Sequence, residues 1–202
     1  MRLPTPKLSI LIVLIFLSCQ AFAQKIGFQF YQGVNKPLVS FTGDQGSLDY
    51  TTDFNSDTRI GVGFGDSNKI SSSVLFGASS IRSVARNEDI VTSFTSSSLR
   101  IDALVRYSFP KSFISSVAAG PSVGILMSSS QDINGLPVRS DELFSSTNFY
   151  LGGEIDFWGY SGEGVHLHPY ISYRMMLSNA DLDADDLKIN ELSFGLRINI
   201  SK

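Results

Sequence analysis

Polar and apolar residues alternate with a period of two along most of the chain beyond residue 24, and they do so in separate bursts. Such alternation marks a β-strand whose two faces meet different surroundings. Eight bursts can be read: Lys25–Val34, Thr58–Gly65, Ile70–Ile81, Ser98–Phe109, Phe113–Met127, Asn148–Trp158, Val165–Leu177 and Glu191–Ile200. The fourth is the clearest. It places Leu99, Ile101, Ala103, Val105 and Tyr107 on one face and Arg100, Asp102, Leu104 and Arg106 on the other. No stretch of comparable length repeats its apolar residues at helical spacing, so the pattern predicts an all-β chain.

The spacers carry a second pattern. Residues 35–57, 82–97, 128–147 and 178–190 are long, whereas 66–69, 110–112 and 159–164 between them are short. Strict alternation of long and short connections is how an outer-membrane barrel separates extracellular loops from periplasmic turns. The expectation is therefore an eight-stranded antiparallel up-and-down transmembrane β-barrel with short periplasmic turns and long extracellular loops. Tyr107, Phe109, Phe113, Phe157, Trp158 and Tyr160 all fall at the short-turn end, where an interfacial aromatic girdle belongs.

Charge decides which face looks where. An arginine turned towards lipid near the midplane costs about 2–4 kcal/mol, and a whole fold is worth only about 5–15 kcal/mol. The apolar parity must face lipid. The inner parity then collects Arg59, Arg100, Arg106, Arg174 and Arg197 with Asp102, Glu154, Asp156 and Glu191. These nine form a predicted polar plug whose signs nearly balance, as a desolvated interior requires. Bursts three and five give that interior mostly Ser, Gly and Ala, which leaves room for long arginines. Eight strands enclose only enough space for side chains, so no open channel is expected. Pro121 interrupts burst five and cannot donate a ladder hydrogen bond; a bulge beside Gly120 is the expected remedy.

Composition adds limits. The 202 residues carry a net charge of −3 and no basic run, which gives nucleic acid no footprint. The chain has no series of apolar runs of about 20 residues that a bundle of membrane helices needs. Arg2 and Lys7, the apolar stretch from Leu8 to Leu17, and Ala21-Phe22-Ala23 before Gln24 read as a secretory signal peptide over residues 1–23, with the barrel domain at 24–202. Cys19 would leave with that segment. Phe16-Leu17-Ser18 ahead of it departs from a lipidation motif, which wants Leu at the first and a small residue at the second of those positions.

Leu99–Phe109 resembles the corresponding strand of an outer-membrane β-barrel family common in Bacteroidetes and often labelled PorT-like. Ala118–Gly124 is similar to that family's next strand, Pro121 included, and Asn148–Phe157 and Ser193–Asn199 are similar to later ones. The resemblance implies an eight-stranded barrel in the outer membrane of a Gram-negative bacterium, in a family largely without assigned function. The chain departs from it at Asp102-Ala103, where proline is usual, and in ending Ile200-Ser201-Lys202 without a terminal aromatic residue.

Candidate chemistry is sparse. His166 and His168 share one strand face, yet no cysteine or second histidine cluster accompanies them, and their expected position near the periplasmic end of the lumen suits neither a metal site nor a lipid-trimming enzyme. Asp181, Asp183, Asp185 and Asp186 lack the Gly and Glu positions of a calcium loop and read as a solvated acidic loop. Gly61, Gly63 and Gly65 lie within a strand rather than before a helix, so they read as room for bulky lumen neighbours rather than a phosphate loop. The expectation is a non-enzymatic protein without cofactor or metal. Its partners would be outer-membrane lipid, the barrel-assembly machinery during biogenesis, and an envelope protein or polysaccharide at the loops. A secreted soluble β-barrel holding an apolar ligand, and a subunit of a secretion or assembly complex, stand as alternatives.

Overall fold

The computed structural model describes residues 26–41, 50–65, 69–87, 90–138, 145–178 and 187–201. Eight long strands follow one another: β1 (Ile26–Phe41), β2 (Asn55–Gly65), β3 (Ile70–Asn87), β4 (Ile90–Ser108), β5 (Ile114–Ile133), β6 (Thr147–Phe157), β7 (Val165–Met176) and β8 (Leu187–Ser201). Each pairs antiparallel with its neighbours in sequence, and β8 pairs back onto β1 from Gly27↔Ser201 to Phe41↔Leu187. The sheet is therefore a closed ring with no edge to protect. Three short strands are appended: Tyr50–Thr52 on β3, Leu136–Val138 on β5 and Ser161–Gly162 on β7.

The apolar parity lies outside. Phe28, Ile60, Phe76, Ile101, Leu151 and Phe194 are all exposed, a distribution that only lipid makes favourable for so many large side chains. At the short-turn end the expected aromatics gather on the outside, with Tyr107 and Phe109 5.0 Å apart and Phe113 and Phe157 5.4 Å apart between ring centres.

Three features differ from the sequence reading. First, residues 82–87 and 90–97 are strand rather than loop: β3 and β4 stay paired from Ile81↔Ser96 to Asn87↔Ile90. The apolar alternation stops at Ile81 because there the faces exchange character. Ile81 and Ala85 are buried inside, while Ser80 and Arg82 are exposed. Likewise β1 runs on to Phe41 and β5 to Ile133, where Asn134 and Gly135, at φ of 52° and 77°, turn the chain into Leu136. Both positive angles suit a tight two-residue hairpin that follows the strand twist.

Second, Pro121 needs no bulge. The β4–β5 ladder runs to Asp102↔Ser122 and resumes at Val105↔Ala119 in the same register, so two pairs are skipped without an inserted residue. At Gly120 the backbones stay so close that a β-carbon would collide with the Ala103 carbonyl oxygen. The irregularities lie elsewhere, at Met127 between Ser97↔Ser128 and Ser98↔Leu126, and at Ser115 between β5 and β6. Third, the interior is not polar throughout. Ile81, Phe94, Tyr150, Met176 and Ile189 pack together inside the long-strand end, with Val39 against them.

Candidate functional site

All nine residues assigned to the lumen by parity point inward and are nearly inaccessible, and the ring brings them together. Asp57, one position before the boundary read for the second strand, joins them. Its arrival makes five carboxylates against the five arginines Arg59, Arg100, Arg106, Arg174 and Arg197.

The signs alternate in space as well as in number. From the short-turn side, Arg197 pairs with Asp156 at 3.2 Å, and Asp156 also contacts Arg106. Arg106 reaches Glu154 at 2.6 Å, and Glu154 meets Arg59 at 3.3 Å. Arg59 lies 3.4 Å from Asp57 and 3.6 Å from Asp102. Arg100 bonds Asp57 at 2.7 Å and Glu191 at 2.5 Å, and Arg174 spans Asp102 and Glu191 at 3.3 and 3.5 Å. Every carboxylate touches at least two guanidinium groups. In a desolvated interior this sharing matters, because a single unpaired ion there costs several kcal/mol.

Neutral groups complete the shell. The Tyr31 hydroxyl accepts from Arg106 at 2.9 Å and donates to Glu154 at 3.0 Å, and the Tyr170 hydroxyl donates to Asp57 at 3.1 Å. Ser122 donates to Asp102 at 2.5 Å, Ser116 donates to Asp156, and the Asn35 amide donates to Glu191 at 3.0 Å. The Arg59 guanidinium lies 4.2 Å from the Tyr31 ring centre and 5.1 Å from that of Tyr170, a cation–π sandwich away from water. Neither tyrosine is among the charged residues that the sequence assigns to the plug, although Tyr170 shares the parity of Arg174 and Tyr31 that of Asn35.

Inward glycines make the space. A β-carbon at Gly77 would stand 2.8 Å from the Arg59 side chain, and one at Gly33 would stand 2.7 Å from the Tyr170 hydroxyl. Glycine is needed there because another group passes over the backbone.

The remaining candidates stay apart from this network. His166 Nδ1 is 2.7 Å from Ser161 Oγ, and His168 Nδ1 lies 3.2 Å from both Ser115 Oγ and the Phe157 carbonyl. Among the described residues no group of three or more His, Cys, Asp or Glu side chains is placed to hold a metal. The acidic run Asp181–Asp186 and the cleavage pair Ala23 and Gln24 lie outside the described residues.

A closed ring of eight antiparallel strands, apolar outside and ion-paired inside, defines a small transmembrane β-barrel of the outer-membrane type. The chain belongs to the outer membrane protein beta-barrel domain family, which matches residues 9–199. No curated protein sequence matches it. Similar solved structures include OprG from Pseudomonas aeruginosa, 12% identical over 89% of this chain and 98% of that one, with a TM-score of 0.48. Neisserial surface protein A is 18% identical over 86% and 96% of the two chains, at 0.47. Ail, the attachment invasion locus protein of Yersinia pestis, is 13% identical over 88% and 99%, at 0.44.

Proposed function

We propose that this protein is a sealed, non-enzymatic outer-membrane barrel of the PorT-like kind, acting as a structural or interaction component of the envelope through its long-strand end. The observation that carries the reading is the neutral, fully shared ion cluster across the lumen, with the apolar layer of Ile81, Phe94, Tyr150, Met176 and Ile189 beyond it. An ion crossing this interior would have to displace paired charges and then pass an apolar constriction, two barriers in series. The exposed apolar outer band and the family membership favour a membrane-embedded role over a secreted soluble carrier.

With the lumen filled, function falls to the surfaces. The extended β3–β4 and β5 strands lift a paired sheet past the apolar band, which suits contact with an envelope protein or polysaccharide. In planar bilayers the purified protein is expected to give no steady ohmic current. A stable conductance of porin size would overturn the sealed reading. Pull-down of the tagged protein from solubilised outer membrane then separates the remaining roles, since co-purification with a secretion complex would replace a free-standing barrel by a subunit.

A further inference from the structure

The outside of the barrel is divided in height. Across β3, β4 and β5 the outward side chains line up in rows, and the last two apolar rows are Phe76, Ile101 and Val123, then Ala78, Leu99 and Ile125. The next two are Ser80, Ser97 and Ser128, then Arg82, Thr95 and Ser130. Apart from Met127 at the β5 bulge, and Val84 and Val91 further on, the outward residues thus change from apolar to polar within a single step on three adjacent strands. From Ile70 to Ala78 the β3 face runs about 27 Å along the strand, or about 21 Å of depth at a tilt of about 40°. That approaches the roughly 25 Å apolar band of such barrels, so the serine row falls where hydrocarbon gives way to headgroups.

The polar rows continue onto the neighbouring strands β2 and β1, where Ser56, Thr58 and Gln32 face outward and hydrogen-bond one another. Phe149 on β6, Met175 on β7 and Phe194 on β8 are apolar and exposed on the other side of the ring. Two cations accompany the hydroxyls. Arg82 is exposed, and its side chain has no hydrogen-bond or ion-pair partner among the described residues. Lys36, outward on β1, donates to the Thr52 carbonyl and sits 5.0 Å from the Phe54 ring centre. The Asp53 amide bonds the Arg82 carbonyl at 3.2 Å, so the strip 52–54 has Lys36 on one side and Arg82 on the other. The acids nearby are Asp53, exposed, and Asp132, one row beyond Ser130 and 3.5 Å from Ser93 Oγ.

We propose that this face docks a phosphorylated glycolipid of the outer leaflet. Its acyl chains would lie on the apolar rows, its sugar hydroxyls on the ladder of Ser80, Ser97, Ser128, Thr95 and Ser130, and a phosphate between Arg82 and Lys36. The occupant follows from continuity: the hydroxyl rows are the same three strand faces that carry lipid one step below. A headgroup with both hydroxyls and phosphate matches both kinds of donor. The docking does not depend on whether the lumen is sealed.

The test is native mass spectrometry of the full chain released from mixed micelles holding equal mole fractions of bis-phosphorylated lipid A and phosphatidylglycerol, repeated with dephosphorylated lipid A. Lipid A is expected to be retained about tenfold over phosphatidylglycerol. Arg82→Ser with Lys36→Ser should remove that preference while the heat-modifiable gel mobility of a folded barrel persists. Ser97→Val with Thr95→Val should lower retention of the dephosphorylated lipid as well. Equal retention of all three lipids by the unaltered chain would overturn the proposal. So would a double cation variant that is folded and still prefers lipid A. Bilayer conductance is a separate readout, so failure here and failure of the sealed-lumen reading are told apart.

Discussion

The barrel changes places with itself along its axis. In its middle the inside is charged and the outside apolar: Arg59, Arg100 and Arg174 are buried while Ile60, Ile101 and Tyr173 are exposed. At the long-strand end the inside is apolar and the outside polar: Ile81 and Phe94 are buried while Ser80, Arg82 and Thr95 are exposed. Strands β3 and β4 contribute to both regions without a break in pairing. The backbone is thus indifferent to which face is greasy, and the solvent outside decides. Where lipid surrounds the ring, apolar residues go outward and the interior is left to ions. Once the strands rise out of lipid, the ordinary rule of soluble sheets returns and the apolar residues go inward.

The two regions should break differently. The largest effect is expected from Arg100→Met, which leaves Asp57 and Glu191 each short of a cation in the buried cluster. Breaking a buried pair from one side costs about 3–5 kcal/mol, so urea unfolding in lipid vesicles, followed through Trp158 emission, should show a much lower midpoint. An unchanged midpoint would mean that the cluster is hydrated rather than desolvated. The boundary between the regions can be located next. Ile101→Arg should cost about 2–4 kcal/mol, and Ser97→Arg, two outward steps higher on the same strand, about 0–1 kcal/mol. Equal costs would place both in the same medium and erase the division. A single-residue trim of the apolar layer is expected to have a modest effect. Ile189→Val removes one methylene and should cost about 0.5–1.5 kcal/mol by the same assay.

That division also explains what the amino-acid order revealed. Parity alone placed all nine predicted lumen residues, because an arginine in lipid is too costly to tolerate and each sits in step with its neighbours. Asp57 shares the parity of Arg59 but precedes Thr58, where the alternation of the second burst begins. The apolar layer escaped for a deeper reason. At Ile81 the phase of the alternation inverts, and an inverted phase followed by Ser and Thr reads as the end of a strand. The same inversion turned the hairpin from Ile81↔Ser96 to Asn87↔Ile90 into an apparent loop. Which carboxylate pairs with which arginine is legible only where the partners are neighbours, as Arg174 and Glu191 are across β7 and β8 or Asp57 and Arg59 are along β2. Most pairs join strands that are not adjacent in the sheet, as Arg59 on β2 and Glu154 on β6 do.

Those cross-lumen pairs bear on the order of events during insertion. Hairpins such as β3–β4 form from local sequence, but Arg59 can meet Glu154, and Arg100 can meet Glu191, only when the ring is almost shut. The cluster is therefore a late-forming element. Interactions absent from the transition state slow unfolding without speeding folding. The ten charges act as a clasp: they lengthen the life of the inserted barrel, and they make half-closed intermediates poor residents of the membrane.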